Sequence, residues 1–266
     1  MKRLLLFLFV PALVGVFALT GDTTYSSAPQ SQNEYLALGD SLGYGFGASD
    51  PANKGYVPLF REFLESEGGL DTDLFLNNLS IPGATSSSLI TQQLPTAVAE
   101  LEDRNGDKKG NNDVKVVTVD IGGNDVLRLL QSSSCVPVAT DACFVLAGTI
   151  LTTFAGNFDF ILDELRTAAG PDTTMIVMTY YNSLVAAPPC PLNFLAPLGD
   201  VILEGEPGVS VGLNDLIRLI AVSHDAQVAD TYGRLSPTDI LPDCVHANDD
   251  GYEIIADQFK DAFKDQ

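Results

Sequence analysis

The feature that most constrains this chain is a repeating order of short apolar runs and longer amphipathic stretches. The apolar runs, rich in Val, Ile and Leu, predict β-strands over 35–38, 74–79, 114–121, 174–180 and 227–232. Several runs are continuous, as expected for strands buried on both faces of a parallel sheet. The stretches between them predict helices near 56–67, 86–103, 144–169, 210–224 and 249–263. This order indicates an α/β fold with right-handed crossovers.

The N-terminal residues have the pattern of a targeting segment. Lys2 and Arg3 precede an apolar run over 4–19, which is short for a membrane span and contains Pro11. We therefore predict a cleaved signal peptide over 1–20 and a secreted, extracellular protein, with an uncleaved anchor as the alternative. A polar, flexible leader is expected over 21–34 and a single domain over 35–266. We expect no later segment to be long and apolar enough to span a membrane, so the mature chain should not insert stably into one.

Charge and cysteine content limit the partners. The net charge is −21, from 14 Lys and Arg against 35 Asp and Glu. Such an excess of acid disfavours nucleic acid and anionic lipid surfaces, because phosphate binding requires Lys and Arg. The even number of cysteines in an exported chain predicts two disulfides, among Cys135, Cys143, Cys190 and Cys244. No pair has C-x-x-C spacing and only two histidines exist, so a metal site is not expected.

A polar, glycine-containing stretch over 103–113 has the alternating spacing of a calcium loop at Asp103, Asn105 and Asp107. The twelfth position is Val114 rather than the bidentate Glu of an EF-hand, and glycine stands at position four rather than six. A solvated turn before the third strand is favoured, and an irregular calcium site is the alternative.

A serine among glycines follows the first predicted strand. Gly39-Asp40-Ser41-Leu42-Gly43 matches G-x-S-x-G, in which a sharp turn exposes a serine. A hydrolytic serine needs a base, and the chain offers two histidines. His224 stands at the end of an amphipathic helix, where a histidine is ordinarily structural or solvated. His246 follows Asp243 by three residues, a spacing that can bring a carboxylate to the imidazole in a local turn, although D-x-x-H is a common pattern.

Two further polar turns follow predicted strands. Gly83 comes after the second strand, and a glycine lets a backbone N–H approach a substrate closely. Asn124 comes after the third strand and can donate a hydrogen bond from its side-chain amide. Open α/β sheets build their sites at the carboxyl ends of strands, where both turns are expected to lie.

The order of these motifs differs from that of α/β-hydrolases. In those enzymes the elbow serine normally follows several strands and an HGGG-type segment precedes it. Here Ser41 follows the first strand, no histidine precedes it, and the Asp and His are three residues apart near the C-terminus. The arrangement resembles the SGNH or GDSL hydrolase family, whose four blocks occur in order at 39–42, 78–83, 122–125 and 243–246. The resemblance covers about residues 35 to 263.

The resemblance implies a fold and a set of roles. The fold would be a three-layer α/β/α sandwich with a flavodoxin-like five-stranded parallel sheet in the order 2-1-3-4-5. Ser41 would be the nucleophile, His246 the base and Asp243 the residue that orients it. The oxyanion hole would consist of the backbone N–H groups of Ser41 and Gly83 and the side chain of Asn124. Neither a metal nor an organic cofactor would be required.

One departure from the family pattern is Cys244 inside the Asp-His block, which fits an extracellular subgroup with a disulfide at this loop. We predict that Cys190 pairs with Cys244, because both should lie on the C-terminal side of the sheet. Cys135 is predicted to pair with Cys143, which is close in sequence. Pairing of Cys135 with Cys190 or Cys244 would overturn this assignment.

The substrate class follows less directly. The apolar stretch 143–165 is favoured as a buried crossover helix, but some of its side chains could wall an acyl pocket near Asn124: Phe144, Leu146, Ile150, Phe154 or Phe158. The Pro-rich loop 188–199 could form another wall. The absence of Trp, a frequent sugar platform, modestly favours apolar acyl esters over glycan esters.

The predicted function is therefore that of a secreted serine ester hydrolase, an esterase or lipase acting on a small-molecule or lipid ester through an acyl-enzyme. A carbohydrate (acetyl) esterase on the same fold is the alternative. A non-catalytic binding protein is disfavoured, because every triad and oxyanion position is occupied. We expect a monomer.

Overall fold

The computed structural model describes residues 31–70, 73–107, 109–187, 190–206 and 210–265. These residues contain a five-stranded sheet in the order β2-β1-β3-β4-β5, with every neighbouring pair parallel. The strands are β1 (Glu34–Gly39), β2 (Phe75–Asn78), β3 (Val114–Asp120), β4 (Thr174–Met178) and β5 (Gln227–Ala229). The predicted strand order is confirmed.

Helices cover both faces of this sheet and complete the predicted three-layer sandwich. They are α1 (Ser41–Tyr44), α2 (Pro51–Lys54), α3 (Tyr56–Ser66), α4 (Ser86–Gln92), α5 (Leu94–Asn105), α6 (Gly123–Leu127), α7 (Asp141–Ala169), α8 (Ala196–Glu204), α9 (Leu213–Ser223) and α10 (Asp249–Lys264). On one face α3 packs against α10, and on the other α7 lies between α5 and α9.

The continuous apolar runs form the central strands because both of their faces are covered. The side chains of 35–38 in β1 are fully buried, and those of 175–178 in β4 are at most 1% exposed. Aromatic rings fill the layer between the sheet and the α3–α10 pair, where Tyr56 stacks on Phe259 with ring centroids 4.5 Å apart. Strands covered on both faces lose the alternating pattern of half-exposed strands.

Several predicted boundaries differ from those observed. The first strand begins at Glu34, inside the predicted leader, and that side chain is fully buried. The predicted helix 86–103 is two helices that meet at Gln93, and the side chain of Gln93 hydrogen-bonds to the backbone of Gly39. The predicted loop 188–199 includes the start of α8, and its residues 188 and 189 lie outside the described residues. The predicted signal peptide and residues 21–30 of the leader also lie outside them.

Helix α7 contradicts the expectation that no later segment is long and apolar enough for a membrane span. Among the described residues it is the one helix that meets both conditions, and a third of its most apolar window is buried. In this fold it forms a crossover between β3 and β4. Its buried face carries Phe154, Phe158 and Ile161, which belong to the hydrophobic core. Its apolar composition therefore reflects, in part, its position in a sandwich layer.

The stretch 103–113 folds differently from a calcium loop. Asn105 points its side chain into the protein, donating to the carbonyl of Ala169 at 2.9 Å and accepting from the backbone N–H of Val114 at 2.8 Å. Asp107 instead accepts hydrogen bonds from Lys109 and Asn112. Because the Asn105 side chain joins α5 to β3, it does not meet Asp107 at a common calcium position. The interpretation as a solvated turn is therefore favoured.

A buried carboxylate joins the ends of the two central strands. Asp120 is the last residue of β3 and is paired in register with Gly39, the last residue of β1. Its side chain accepts hydrogen bonds from the backbone N–H groups of Asp40 (3.2 Å) and Gly43 (3.1 Å) and from the hydroxyl of Tyr56 (2.5 Å). These bonds fix the chain as it leaves β1 and turns into α1.

This carboxylate explains two glycines of the G-x-S-x-G pattern. A Cβ atom at either Gly39 or Gly43 would overlap the Asp120 carboxylate, and one at Gly43 would also overlap the hydroxyl of Ser80. Neither glycine has a positive φ, so the requirement is for space rather than for conformational freedom. The buried side chain of Gln93 completes the turn by accepting from the Gly39 N–H (2.9 Å) and donating to its carbonyl (2.8 Å).

Gly43→Ala is therefore expected to destabilise the protein by about 1–3 kcal/mol, the usual cost of overfilling a packed site. Gly156→Ala is the matched control, because Gly156 is also helical but a Cβ there meets open space. That control is expected to raise stability by about 0.5–1 kcal/mol through helix propensity. Denaturant unfolding of both variants checks this, and equal effects would contradict the role assigned to Asp120.

Candidate active site

The predicted site residues converge at the carboxyl edge of the sheet. Ser41 is the first residue of α1, directly after β1, and 7% of its surface is exposed. Asp40 caps this short helix, because its side chain accepts from the backbone N–H of Leu42 at 2.9 Å. The serine is thus held at the start of a helix, with its hydroxyl facing the loop that carries His246.

His246 bridges Ser41 and Asp243. Its Nε2 lies 2.9 Å from the Ser41 hydroxyl oxygen, and its Nδ1 lies 2.6 Å from Oδ2 of Asp243. The other carboxylate oxygen of Asp243 accepts the backbone N–H groups of Val245 and His246, both at 3.0 Å. The three-residue spacing therefore forms the local turn that the sequence predicted, and the structure brings all three side chains together.

Hydrogen bonding favours the charged form of Asp243. Partial burial alone would raise the pKa of this carboxyl, but hydrogen bonds from the His246 side chain and from the backbone of His246 and Val245 outweigh it and lower the pKa. An anionic oxygen therefore faces Nδ1 of the imidazole, where it can hold a proton on that nitrogen and leave Nε2 as an acceptor.

The loop that carries His246 is fixed by three contacts. Cys244 is bonded to Cys190 and has a left-handed φ of 64°. The Tyr181 hydroxyl donates to the carbonyl of Val245 at 2.7 Å. The Phe46 ring lies against the imidazole with centroids 4.5 Å apart. Phe46 thus contacts the imidazole directly, while the disulfide and the Tyr181 hydrogen bond fix the two residues that precede it.

Both disulfides have the predicted partners. Cys135 is bonded to Cys143, and Cys190 is bonded to Cys244. The first closes a short loop that ends in the first turn of α7. The second joins the segment before α8 to the loop between Asp243 and His246, and both of these segments lie on the carboxyl side of the sheet, as expected.

The predicted oxyanion donors lie in adjacent turns. Gly83 is exposed with a φ of 82°, and its N–H has no acceptor among the described residues. The amide nitrogen of Asn124 donates to the carbonyl of Ala84 at 2.9 Å and makes a longer contact of 3.4 Å with Asp40. The bond to Ala84 ties the two turns together, and the longer contact is the one that a substrate oxygen could replace.

A second carboxylate, missed in the sequence analysis, aligns these turns. Asp125 accepts from both the backbone N–H (2.9 Å) and the hydroxyl (2.7 Å) of Ser86 at the start of α4. Asn157 of α7 donates to the same hydroxyl at 2.9 Å. Asp125 follows Asn124 directly, so this clamp sets the position of the Gly83 turn relative to the Asn124 side chain. No sequence pattern signals it, because the partners are 39 residues apart.

Asp40 connects the turn that carries Ser41 to Tyr180. Besides capping α1, its carboxylate accepts the Tyr180 hydroxyl at 2.9 Å. Burial raises the pKa of Asp40, while hydrogen bonds from Leu42 and Tyr180 oppose that rise. Burial raises the pKa of Asp120 well above its usual range, and the adjacent Asp40 raises it further.

An apolar cavity opens beside Ser41. The polar residues in its lining include Ser41, Asn124 and Tyr180. Its wall includes aliphatic side chains from α6, the 3-10 turn Arg128–Gln131 and α8: Val126, Leu127, Leu129, Leu130, Leu198, Ile202 and Leu203. The predicted loop 188–199 does contribute a wall, through Leu198 and Gly199.

The interpretation of α7 as a wall of this cavity is wrong. None of the candidate side chains lines it: Phe144, Leu146, Ile150, Phe154 and Phe158. Phe154 and Phe158 stack on each other in the core, with centroids 5.2 Å apart, because they lie on the buried face of the helix. Phe144 and Leu146 lie near the N-terminal end of α7 and are substantially exposed.

The second histidine lies elsewhere and pairs with a different carboxylate. His224 follows α9, and its Nε2 is 2.8 Å from Asp159 on α7. This supports its interpretation as structural. Among the described residues, no three side chains of His, Cys, Asp or Glu are grouped as they would be in a metal site.

This arrangement can move a proton from a serine hydroxyl to an imidazole whose far nitrogen faces a carboxylate. It also places hydrogen-bond donors near the oxygen of any carbonyl that Ser41 attacks.

Several solved structures share this fold. A lipase from a goat rumen metagenome superposes with a TM-score of 0.64 at 20% identity, covering 87% of this chain and 97% of that chain. An extracellular lipase from Streptomyces rimosus gives 0.58 at 18%, covering 87% and 99%. An acetylxylan esterase from Geobacillus stearothermophilus, solved as a catalytic mutant, gives 0.56 at 16%, covering 87% and 94%. At these identities the similarity establishes the fold alone.

Among curated proteins, no sequence matches this chain. The sequence profile of the GDSL-like Lipase/Acylhydrolase family matches residues 37–254, which include every residue of the site described above. The chain belongs to the GDSL-like lipase/acylhydrolase family.

Proposed function

We propose that this protein is a serine ester hydrolase that acts through Ser41, His246 and Asp243. The observation that carries the proposal is the unbroken contact from Asp243 through both nitrogens of His246 to the Ser41 hydroxyl. That contact ends at the mouth of an apolar cavity, where an ester with an aliphatic acyl group fits.

The proposed reaction has two halves. His246 Nε2 takes the Ser41 proton as the serine oxygen attacks the ester carbonyl, and the tetrahedral intermediate collapses when the alcohol leaves with that proton. Water then attacks the acyl-enzyme, giving its proton to His246 and releasing the acid and the free serine. Asp243 keeps the imidazole in one orientation and stabilises its charged form in both halves.

The negative oxygen of the intermediate would be held by three donors: the N–H groups of Ser41 and Gly83 and the amide of Asn124. In support, the Gly83 N–H is unpaired among the described residues, and Asn124 is tied to the same turn. Donors that are already in position stabilise the negative charge as it develops. They therefore lower the activation barrier rather than strengthen the binding of the substrate.

The favoured substrate is a lipid or small-molecule ester with an apolar acyl chain. The aliphatic wall of the cavity supports this choice, because its side chains offer few hydrogen bonds to the hydroxyl groups of a sugar. The fold shared with an acetylxylan esterase favours a second candidate, a carbohydrate acetyl ester.

We further propose that the protein is secreted as a monomer after removal of a signal peptide over 1–20, followed by a short leader and one hydrolase domain. The two disulfides support an oxidising compartment, and the similar lipase from Streptomyces rimosus is extracellular.

Ser41→Ala is expected to lower the rate of p-nitrophenyl ester hydrolysis by about three orders of magnitude or more, because the nucleophile is removed. Ser183→Ala is the matched control, since Ser183 lines the same cavity but does not contact His246. A panel with p-nitrophenyl acetate, p-nitrophenyl butyrate and acetylated xylan also separates the two substrate classes. Equal rates for the two variants would contradict the proposal.

Asn124→Ala is expected to reduce kcat by about 10²–10³ with a smaller change in KM, because the amide acts mainly on charge in the transition state. Asn53→Ala, at an exposed asparagine of α2, provides the control. Steady-state kinetics with p-nitrophenyl butyrate measures both constants. An increase in KM at unchanged kcat would make Asn124 a binding residue instead.

A further inference from the structure

A second apolar depression lies outside the cavity beside Ser41. It has a volume of about 420 Å³, against about 90 Å³ for the cavity. One side is a stripe on α7 at the helical spacing of three and four residues: Phe144, Ala147, Gly148, Leu151, Thr152 and Ala155. The other side includes Ile202 of α8 and Leu216 of α9. We call this depression the α7 groove.

The α7 groove adjoins the cavity through a shared wall. Ile202 lines both, with 7% of its surface exposed. The aliphatic linings of the cavity and of the α7 groove therefore meet at this side chain of α8. The cavity alone is smaller than the pockets that usually enclose a whole ligand, whereas the groove falls within their range.

The groove is uncharged on a strongly acidic protein. No Asp, Glu, Lys or Arg occurs between Asp141 and Asp159, although the chain carries a net charge of −21. None of the groove-lining side chains is charged, and the polar ones, Thr152 and Ser210, carry only hydroxyls. Phe144 and Val211 remain about half exposed at its surface. An occupant would therefore be an uncharged hydrocarbon.

We propose that the α7 groove binds the distal part of a long acyl chain whose ester carbonyl is held at Ser41. This inference rests on the proposed hydrolase function and extends it to the substrate class, esters of long-chain fatty acids. The cavity takes the first carbons of the chain, which then passes Ile202 and lies along the stripe of α7. Short acyl esters use the cavity alone.

Gly148→Leu tests this directly, because Gly148 lies within the stripe and a Cβ there meets open space. The new side chain would occupy the groove without disturbing the core. Gly156→Leu is the matched control: the same helix, the same substitution and open space, but outside the groove. For each methylene of the acyl chain that is displaced from the groove, the affinity for that chain is expected to fall about fourfold.

The measurement is kcat/KM for p-nitrophenyl butyrate and p-nitrophenyl palmitate with each variant. Gly148→Leu is expected to leave butyrate hydrolysis unchanged and to lower palmitate hydrolysis by about fifteenfold, the loss of roughly two methylenes. Gly156→Leu should match the unsubstituted protein on both esters. An unchanged ratio of palmitate to butyrate in Gly148→Leu would overturn the proposal.

A binding measurement separates failure of this inference from failure of the proposed hydrolysis. Ser41→Ala is titrated with cis-parinaric acid, a fluorescent long-chain fatty acid, with and without Gly148→Leu. Weaker binding in the double variant supports the groove even if no ester is hydrolysed. Equal binding in both variants overturns the proposal. A dimer of the unsubstituted protein that becomes a monomer in Gly148→Leu on gel filtration also overturns it, because the groove would then bind a second copy of the chain.

Discussion

The site depends on the carboxylate of Asp120, which occupies the space between the ends of β1 and β3. Because Gly39 and Asp120 are register partners on adjacent strands, a side chain at Gly39 would point into that carboxylate. The carboxylate instead accepts two N–H groups from the turn that follows β1. Ser41 lies inside this turn, so its position is set by the pairing of the two central strands.

The same constraint extends to the other site residues. Asp40, whose N–H bonds to Asp120, uses its side chain to cap α1 and to accept the Tyr180 hydroxyl. Tyr180 follows β4, and its neighbour Tyr181 holds the loop of His246. Asp40 follows β1, Asp120 ends β3 and Tyr180 follows β4, and these three strands are adjacent in the order 2-1-3-4-5. The site is therefore built at the point in the sheet where parallel α/β folds commonly bind ligands.

What could be predicted from the sequence was local. The strands were identified from continuous apolar runs, and the turn from Asp243 to His246 was identified from a three-residue spacing. The contacts that fix these elements, such as Gln93 with Gly39 and Asp125 with Ser86, join residues 54 and 39 positions apart. No local pattern specifies such pairs, because each side chain could equally have been solvated.

The interpretation of α7 failed for a related reason. Its spacing shows that it has an apolar face, but not which apolar residues meet the sheet and which stay outside. Phe154 and Phe158 are buried in the core, while Phe144 lines the α7 groove and is about half exposed. The wall of the cavity comes instead from α6, the turn Arg128–Gln131 and α8, and α8 begins inside the stretch 188–199 that the sequence analysis assigned to a loop.

The central claim is that His246 and Asp243 activate Ser41 as a nucleophile. Reaction with a fluorophosphonate, followed by peptide mapping by mass spectrometry, tests it most directly, because only an activated serine forms the adduct readily. The account predicts a single adduct on Ser41, formed much more slowly in a folded His246→Ala variant. An adduct on another residue, or an equal rate of labelling without His246, would contradict it.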